Sequence, residues 1–480
     1  MKDVEDAHLD QETMSDDCFD HDSKEVRRVR WKVDRRLIPL LGLLYLCSYL
    51  DRSNIGNAKV AHLDKDLNLE PGVYNVALSV FYVGYILGDV PANVALKKIG
   101  PRIWVFMVMT AWGVVSMCMA AITDGAGLIA TRFFLGLAES GFAPAPVYLI
   151  SLWYRRCEHA LRIGIYFSAA TIAGAFGGLI AYAIAQLHTA GGLKAWQWIF
   201  ILEGLPTILC ALLALWLLPG LPENSRLLTP EEKALTIQRL KLDAGPATDT
   251  AFSWKQLWAA FKDWKIYAHT LLLLLHNVAF ASVGLFVPSI TMGFGYDHVT
   301  TQIMTAPVFV VACVATLLFA ISSDRLQERG FHVFATTFLM AAGFVLLILT
   351  SHSSTIVRYV SLVICACGVY AAIPLHLCWP SGNFGGHTKK GVAIGFIIAV
   401  SQVGGIIGGQ IYREDDAPLY VRGHTINAVL MFINSILILG LKFLLRRENK
   451  RRDQLTPEEF EKESDQKDAT DAHPGYRFYE

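Results

Sequence analysis

Twelve blocks of about 18 to 25 mostly apolar residues run through the chain, near 37–57, 73–96, 102–122, 128–151, 163–187, 197–218, 267–289, 300–322, 333–350, 357–377, 390–412 and 424–445. At about 1.5 Å of rise per residue, each is long enough to cross a hydrocarbon core of about 30 Å. The composition agrees. Of 480 residues, 53% are hydrophobic and 18% charged, whereas soluble proteins carry about 25% charge. Residues 1–23 are acidic and polar and the first block is long enough to stay as a span, so no cleavable signal is expected. Most of the nine cysteines (Cys47, Cys118, Cys210, Cys313, Cys365, Cys367, Cys378) fall in or beside the blocks and read as small apolar packers.

Net charge is formally zero, which gives no global basic surface for nucleic acid. The local asymmetry is informative. Lys24, Arg27, Arg28, Arg30, Lys32, Arg35 and Arg36 precede the first block, and Lys442, Arg446, Arg447, Lys450, Arg451 and Arg452 close the last. Lys97, Lys98, Arg102, then Arg155, Arg156, Arg162, then Lys389 and Lys390 occupy alternate loops. The positive-inside rule puts both termini in the cytoplasm. Loops on the other side are short or acid-balanced, such as Thr123-Asp124-Gly125 and Arg413-Glu414-Asp415-Asp416.

Two places break the apolar pattern with charge. In the fourth block Arg132 and Glu139 stand seven residues apart, close to two turns, so they share a helical face about 10.5 Å apart with Gly136 between them. Each charge costs about 2.5 to 3.5 kcal/mol at mid-bilayer, and such residues normally face a bundle interior. They are a site unless they form a purely structural pair. The first block ends Tyr49-Leu50-Asp51-Arg52-Ser53-Asn54. Stopping the helix at Asp51 would leave a span of about fifteen residues from Leu37, too short to cross, so the helix is expected to continue with Asp51 and Arg52 buried. Tyr82, Tyr85, His276, Asn277 and Gln402 are further polar groups in apolar blocks, where packing and substrate contact are equally open readings.

The turn after the second block, Gly88 to Arg102, has a counterpart after the eighth, Ala320 to Gly330, which suggests an internal repeat of six blocks. Five segments follow: a tail at 1–36, a six-helix bundle at 37–218, a central polar segment at 219–266, a second bundle at 267–445 and a tail at 446–480. In the central segment Thr229-Pro230-Glu231-Glu232 should cap a short surface helix. Small residues at Ala173–Gly178 and Gly404–Gly409 permit close helix approach. Trp379-Pro380-Ser381-Gly382-Asn383-Phe384-Gly385-Gly386 should break the helix between the tenth and eleventh blocks.

Several of these stretches together resemble one family: Tyr49 to Ala58, Leu96-Lys97-Lys98-Ile99-Gly100-Pro101-Arg102, Arg132 to Pro144, Gly191 to Gly204 and Leu228 to Glu232. The chain resembles the major facilitator superfamily, and within it the anion:cation symporters of the fungal allantoate, nicotinate and pantothenate permease branch. The resemblance covers about residues 30 to 445. It implies an all-α membrane protein of twelve transmembrane helices in two pseudo-symmetric six-helix bundles. It implies proton-coupled uptake of a small organic anion, with Asp51 and Glu139 coupling protons and Arg52 and Arg132 binding the anion, where Asn54, Tyr82, His276 and Gln402 are candidate substrate contacts. Lys97, Lys98, Arg102, Asp324 and Arg325 are the candidate cytoplasmic gate. The superfamily turn carries an acid where this chain has Lys97, so Asp89 is not assigned to the gate.

Two arginine forks match a carboxylate, and two carboxylates in an apolar bundle can exchange protons and release the arginines. Proton-driven export of a metabolite or drug uses the same fold, and a non-transporting nutrient sensor is the third alternative. No P-loop, HExxH or nucleophile elbow is present in the sequence, so no enzyme activity and no cofactor or metal is expected. The expected partners are the anion, protons and the lipid bilayer, with no nucleic acid. The expected state is a monomer in the plasma membrane.

Overall fold

Apolar sequence this dense leaves the backbone few options in lipid, since each amide must be satisfied within its own segment, and in the computed structural model every span is built of helix. It describes residues 24–480 except 62, 71, 156–157, 186–191, 221, 226, 245–253, 297, 414–415 and 467–470. The acidic stretch 1–23, Arg156, Gly191, Glu414 and Asp415 therefore lie outside the described residues.

The first bundle contains α1 (Lys24–Val60), α2 (Val73–Ile99), α3 (Pro101–Cys118), α4 (Gly125–Glu139) with α5 (Pro144–Trp153), α6 (His159–Ala185) and α7 (Ala195–Leu217). Two surface helices follow, α8 (Pro230–Ala244) and α9 (Trp254–Lys262). The second bundle contains α10 (Trp264–Met292), α11 (His298–Leu326), α12 (Gly330–Leu349), α13 (Thr355–Asn383), α14 (His387–Ser401) with α15 (Val403–Ile411), and α16 (Val421–Asp453), followed by α17 (Pro457–Gln466).

The packing repeats with a shift of six spans. In the first bundle α1 lies on α6 and α7, α2 on α4, and α3 on α7. In the second, α10 lies on α14, α15 and α16, α11 on α13, and α12 on α16. Between bundles, α6 meets α11 while α2 meets α14 and α15. These are equivalent contacts exchanged by a pseudo-two-fold axis, so the fold is two six-helix bundles.

Several local expectations hold, and some do not. α1 runs unbroken through Asp51 and Arg52 to Val60. It also begins earlier than the block did, at Lys24, so residues 24–36 are an extension of the first helix beyond its apolar block. Asp34 there pairs with Arg162 at 2.8 Å, and Arg30 with Glu158 at 3.0 Å. The Thr229 cap is present as a reciprocal box, with Thr229 N donating to Glu232 at 2.9 Å and Glu232 N to the Thr229 hydroxyl at 3.3 Å.

The fourth span is two helices, not one. Turn bonds from Phe142 N to Glu139 O and from Ala145 N to Phe142 O interrupt it before Pro144 restarts it at a position needing no amide donor. Pro380, by contrast, does not break the tenth span. α13 continues to Asn383, and the chain turns at Phe384 and at Gly386, which has φ +82°.

Close approach is what the glycines provide. A Cβ at Gly136 would stand 2.0 Å from the Phe81 carbonyl oxygen, and one at Gly84 2.3 Å from that of Phe133, so α2 and α4 touch backbone to backbone. Gly404 and Gly408 do the same against α10, while Gly174 faces Phe309 and Gly405 faces Tyr82 across the bundle interface. Gly136→Val should therefore force α2 and α4 apart, with a loss of about 3 kcal/mol or more, since the clash is with main chain. Thermal unfolding in detergent would show a Tm drop of several degrees, whereas Gly440→Val, which meets open space, should change little.

Candidate functional site

On α4 the buried residues are Leu128, Arg132, Leu135, Gly136 and Glu139, one face at helical spacing. That face lies on α2, and the Gly136 contact brings Phe81 beside Arg132 and also Arg52 of α1. The Phe81 ring is 5.0 Å from the Arg132 guanidinium carbon and 5.3 Å from that of Arg52. Arg52 also stands 5.5 Å from the Tyr85 ring.

The ion pair joins different helices from those the spacing suggested. Glu139 accepts from Arg52 Nη2 at 2.8 Å and from the Ser48 hydroxyl at 2.6 Å. Arg132 is 2% exposed and makes no ion pair among the described residues, and its Nε and Nη1 have no hydrogen-bond acceptor there. A desolvated cation–π contact is worth about 2 kcal/mol, whereas taking a cation out of water costs several. The phenyl face offsets only part of that cost. Two guanidiniums and one carboxylate leave this centre one positive charge in excess.

Asp51 does not hold an arginine. Consecutive helix positions point about 100° apart, so Arg52 faces α4 while Asp51 turns to α3 and α7. Its Oδ2 accepts from Thr207 at 2.6 Å and Trp112 Nε1 at 3.1 Å; its Oδ1 accepts from Ser116 at 3.1 Å and, weakly, Asn54 Nδ2 at 3.4 Å. All four donors are neutral. Glu203 lies one turn before Thr207 on α7, 6% exposed, and neither of its carboxylate oxygens has a donor among the described residues. The chain thus contains an outer charged centre (Arg52, Arg132, Glu139) and an inner carboxylate pocket (Asp51, Glu203), joined through the adjacent residues of α1.

The other candidates scatter. Asn54 belongs to the inner pocket. The Tyr82 ring lies 5.3 Å from the Phe81 ring, towards Gly405 of the second bundle. Gln402 forms the break between α14 and α15. His276 is fully buried in the second bundle, 5.0 Å from the His376 ring and stacked at 6.4 Å on Phe280, which meets Tyr49 at 6.5 Å. The bundles also touch through Tyr49 and Tyr370, whose hydroxyls are 3.3 Å apart.

At the end of the bundles carrying both terminal segments, Asp324 accepts from Leu161 N of the first bundle at 2.7 Å and pairs with Arg329 at 2.7 Å. Of the other gate candidates, Lys98 and Arg325 are exposed. Arg102 donates to the Leu215 carbonyl. The side chain of Lys97 lies outside the described residues.

Ser48, Trp112, Ser116, Glu203 and Thr207 were not singled out from the sequence. The available signal was i, i+4 spacing of polar groups in apolar helices, Trp112 with Ser116 and Glu203 with Thr207, each opposite the Asp51 stretch.

The sequence matches the profile of the Major Facilitator Superfamily over residues 41–409. It is 38% identical over 428 residues to the MFS transporter prlL of Fungal sp. (strain NRRL 50135), covering 88% of this chain and 86% of that one. It is 34% identical over 427 residues to the high-affinity nicotinic acid transporter of Saccharomyces cerevisiae, covering 89% and 79%. The fold is similar to that of the MFS proton:xylose symporter XylE, with a TM-score of 0.68 at 15% identity over 85% of this chain and 95% of that one. Helical spans in two bundles around buried charge define a multi-pass membrane transporter, and the chain belongs to the major facilitator superfamily.

Proposed function

We propose that this transporter is a proton-coupled symporter for a small organic carboxylate, of the kind represented by nicotinate, pantothenate or allantoate, in the anion:cation symporter branch. The observation that carries this reading is the buried guanidinium of Arg132, which makes no ion pair among the described residues, beside the Arg52–Glu139 pair. One excess buried cation favours an anion, is worsened by a cation and left unrelieved by a neutral sugar. Arg132 offers a planar fork that can bind a carboxylate bidentately. The likeness to a nicotinic acid transporter supports the same substrate class.

In this mechanism, protonation of Glu139 frees Arg52 as a second fork for the substrate. Asp51 and Glu203 form a proton reservoir behind it. Tyr82, His276 and Gln402 complete the substrate contacts as the bundles, 37–218 and 267–445, rock about the site. Lys97, Lys98, Arg102, Asp324 and Arg325 form the cytoplasmic gate, with both termini inside and the protein a monomer in the plasma membrane. The discriminating experiment is radiolabelled uptake of nicotinate, pantothenate and allantoate with and without a protonophore, with nicotinamide as the neutral comparison. Protonophore-sensitive uptake of at least one acid supports the reading; uptake of nicotinamide that carboxylates fail to compete with opposes it.

Uptake should rise as external pH falls from about 7 to 5, then decline as the substrate carboxyl, with a pKa of roughly 4 to 5, protonates. The cluster outside the spans does not supply this dependence. Burial alone would raise Glu158, but the attraction of Arg239 and Arg162 and bonds from Arg30 and Arg155 N outweigh it and hold the carboxyl below its ordinary value. A lowered carboxyl stabilises the fold above its unfolded pKa of about 4.3, and that stability is lost only as pH falls through the folded value. Between pH 7 and 5 Glu158 stays ionised. Glu158→Gln should therefore leave the shape of the pH profile unchanged, whatever it does to the absolute rate.

A further inference from the structure

Where α10 begins and α16 ends, a half-open groove of about 840 Å³ lies at the end of the bundles that carries the terminal segments. Five basic side chains line it against the single carboxylate of Glu448. Three of the five are already engaged. Lys265 pairs with Asp471 at 2.6 Å, Arg451 with Glu448 and Glu463 at 2.9 Å each, and Arg452 with Glu448 at 3.0 Å. Arg452 also bonds the carbonyls of Asp471, His473 and Tyr476. The remaining two, Arg447 and Lys450, are exposed and make no ion pair among the described residues. Among the described residues the groove thus has a surplus of cation that no carboxylate of the chain neutralises.

Apart from Gln454 its other lining is apolar, and its depth in the membrane is marked. Trp264 is 52% exposed at one wall and Leu444 50% exposed at another. Just before Trp264, the short helix α9 presents Trp254, Trp258 and Phe261 at i, i+4 and i+7, all exposed on one face. Exposed tryptophans on an amphipathic helix beside the end of a span occupy the headgroup level of a bilayer. The floor is Phe478, fixed by paired bonds with the Asn449 side chain at 2.9 Å each and by Arg452 4.5 Å from its ring. Burial would raise the Asp471 carboxyl, but Lys265 and Lys389 outweigh it and keep it below its ordinary range, so the docked segment that carries Phe478 stays in place at neutral pH.

We propose that this groove binds the phosphate-bearing headgroup of an anionic phospholipid from the adjoining leaflet, with Arg447 and Lys450 taking the phosphate and Trp264 and Leu444 the glycerol and upper acyl chain. A ligand anionic at one end and apolar at the other fits this lining, whereas a free phosphate would use only the cationic half.

The test uses the full chain purified in detergent and fluorescent phosphatidylinositol 4-phosphate as probe, with phosphatidylcholine as the neutral reference. Each basic residue near the surface is worth about a fivefold change in lipid affinity. The double variant Arg447→Gln/Lys450→Gln should therefore bind the probe roughly 25-fold more weakly. Arg35→Gln/Arg36→Gln, equally basic and exposed near the same end, should bind as the unmodified chain does. Trp264→Ala should weaken the lipid but not its water-soluble headgroup, glycerophosphoinositol 4-phosphate. Equal loss in both double variants would reduce the effect to general surface charge and overturn the proposal. Unchanged binding in Arg447→Gln/Lys450→Gln would overturn it too. Headgroup binding as tight as that of the lipid would replace it with a soluble-phosphate site.

Discussion

Arg132→Lys should lose most transport although the charge is kept. Lysine presents a compact ammonium on a flexible stem, which cannot reproduce a planar two-bond fork. Losing a buried bidentate contact to a charged partner costs about 2 to 4 kcal/mol, so uptake should fall about 30- to 1000-fold. The fold should survive, because Arg132 contributes no ion pair to the folded chain among the described residues, only its contact with Phe81. Surface abundance and thermal stability measured on the same cells separate the two effects. Near-normal uptake in a properly localised Lys variant would show that positive charge alone suffices there.

Glu139→Gln should uncouple transport. The glutamine cannot neutralise Arg52, so the centre holds two cations permanently, as if Glu139 were always protonated. Exchange of labelled for unlabelled substrate should persist while accumulation against a gradient disappears. Breaking a buried pair costs about 3 to 5 kcal/mol, so a lower Tm is expected as well. Asp51→Asn makes the companion test, and the geometry shows why it should fold. Trp112 Nε1 can only donate, so the new amide must keep its oxygen at the Oδ2 position, where Thr207 also donates. Its nitrogen then meets the Ser116 hydroxyl, which can reverse from donor to acceptor, and Asn54, whose amide can turn over to present its own oxygen. If both variants still concentrate substrate, these carboxylates do not couple protons.

How far the sequence reached depended on whether a property was local or long-range. Block length and composition carry the helices, and the Thr229 cap is written in four consecutive residues. The Arg132–Gly136–Glu139 face follows from helical period alone. What periodicity cannot supply is the partner. Glu139 pairs with Arg52, 87 positions away, and Asp51 turns from its neighbour Arg52 to α3 and α7, because adjacent residues of a helix point in different directions. The apolar residues on either side likewise conceal the interruption at 140–143, which only Ser140-Gly141 and Pro144 mark. Glu203 and Thr207 stand one turn apart in the apolar α7, and only the approach of α7 to Asp51 gives either a role.

The most direct test of proton-coupled anion uptake is flux in sealed proteoliposomes with an imposed pH gradient and labelled nicotinate outside. With the exterior acidic, substrate should accumulate above its external concentration, and the accumulation should collapse when a protonophore dissipates the gradient. Flux that ignores the pH gradient, or that carries nicotinamide without competition from carboxylates, would contradict it.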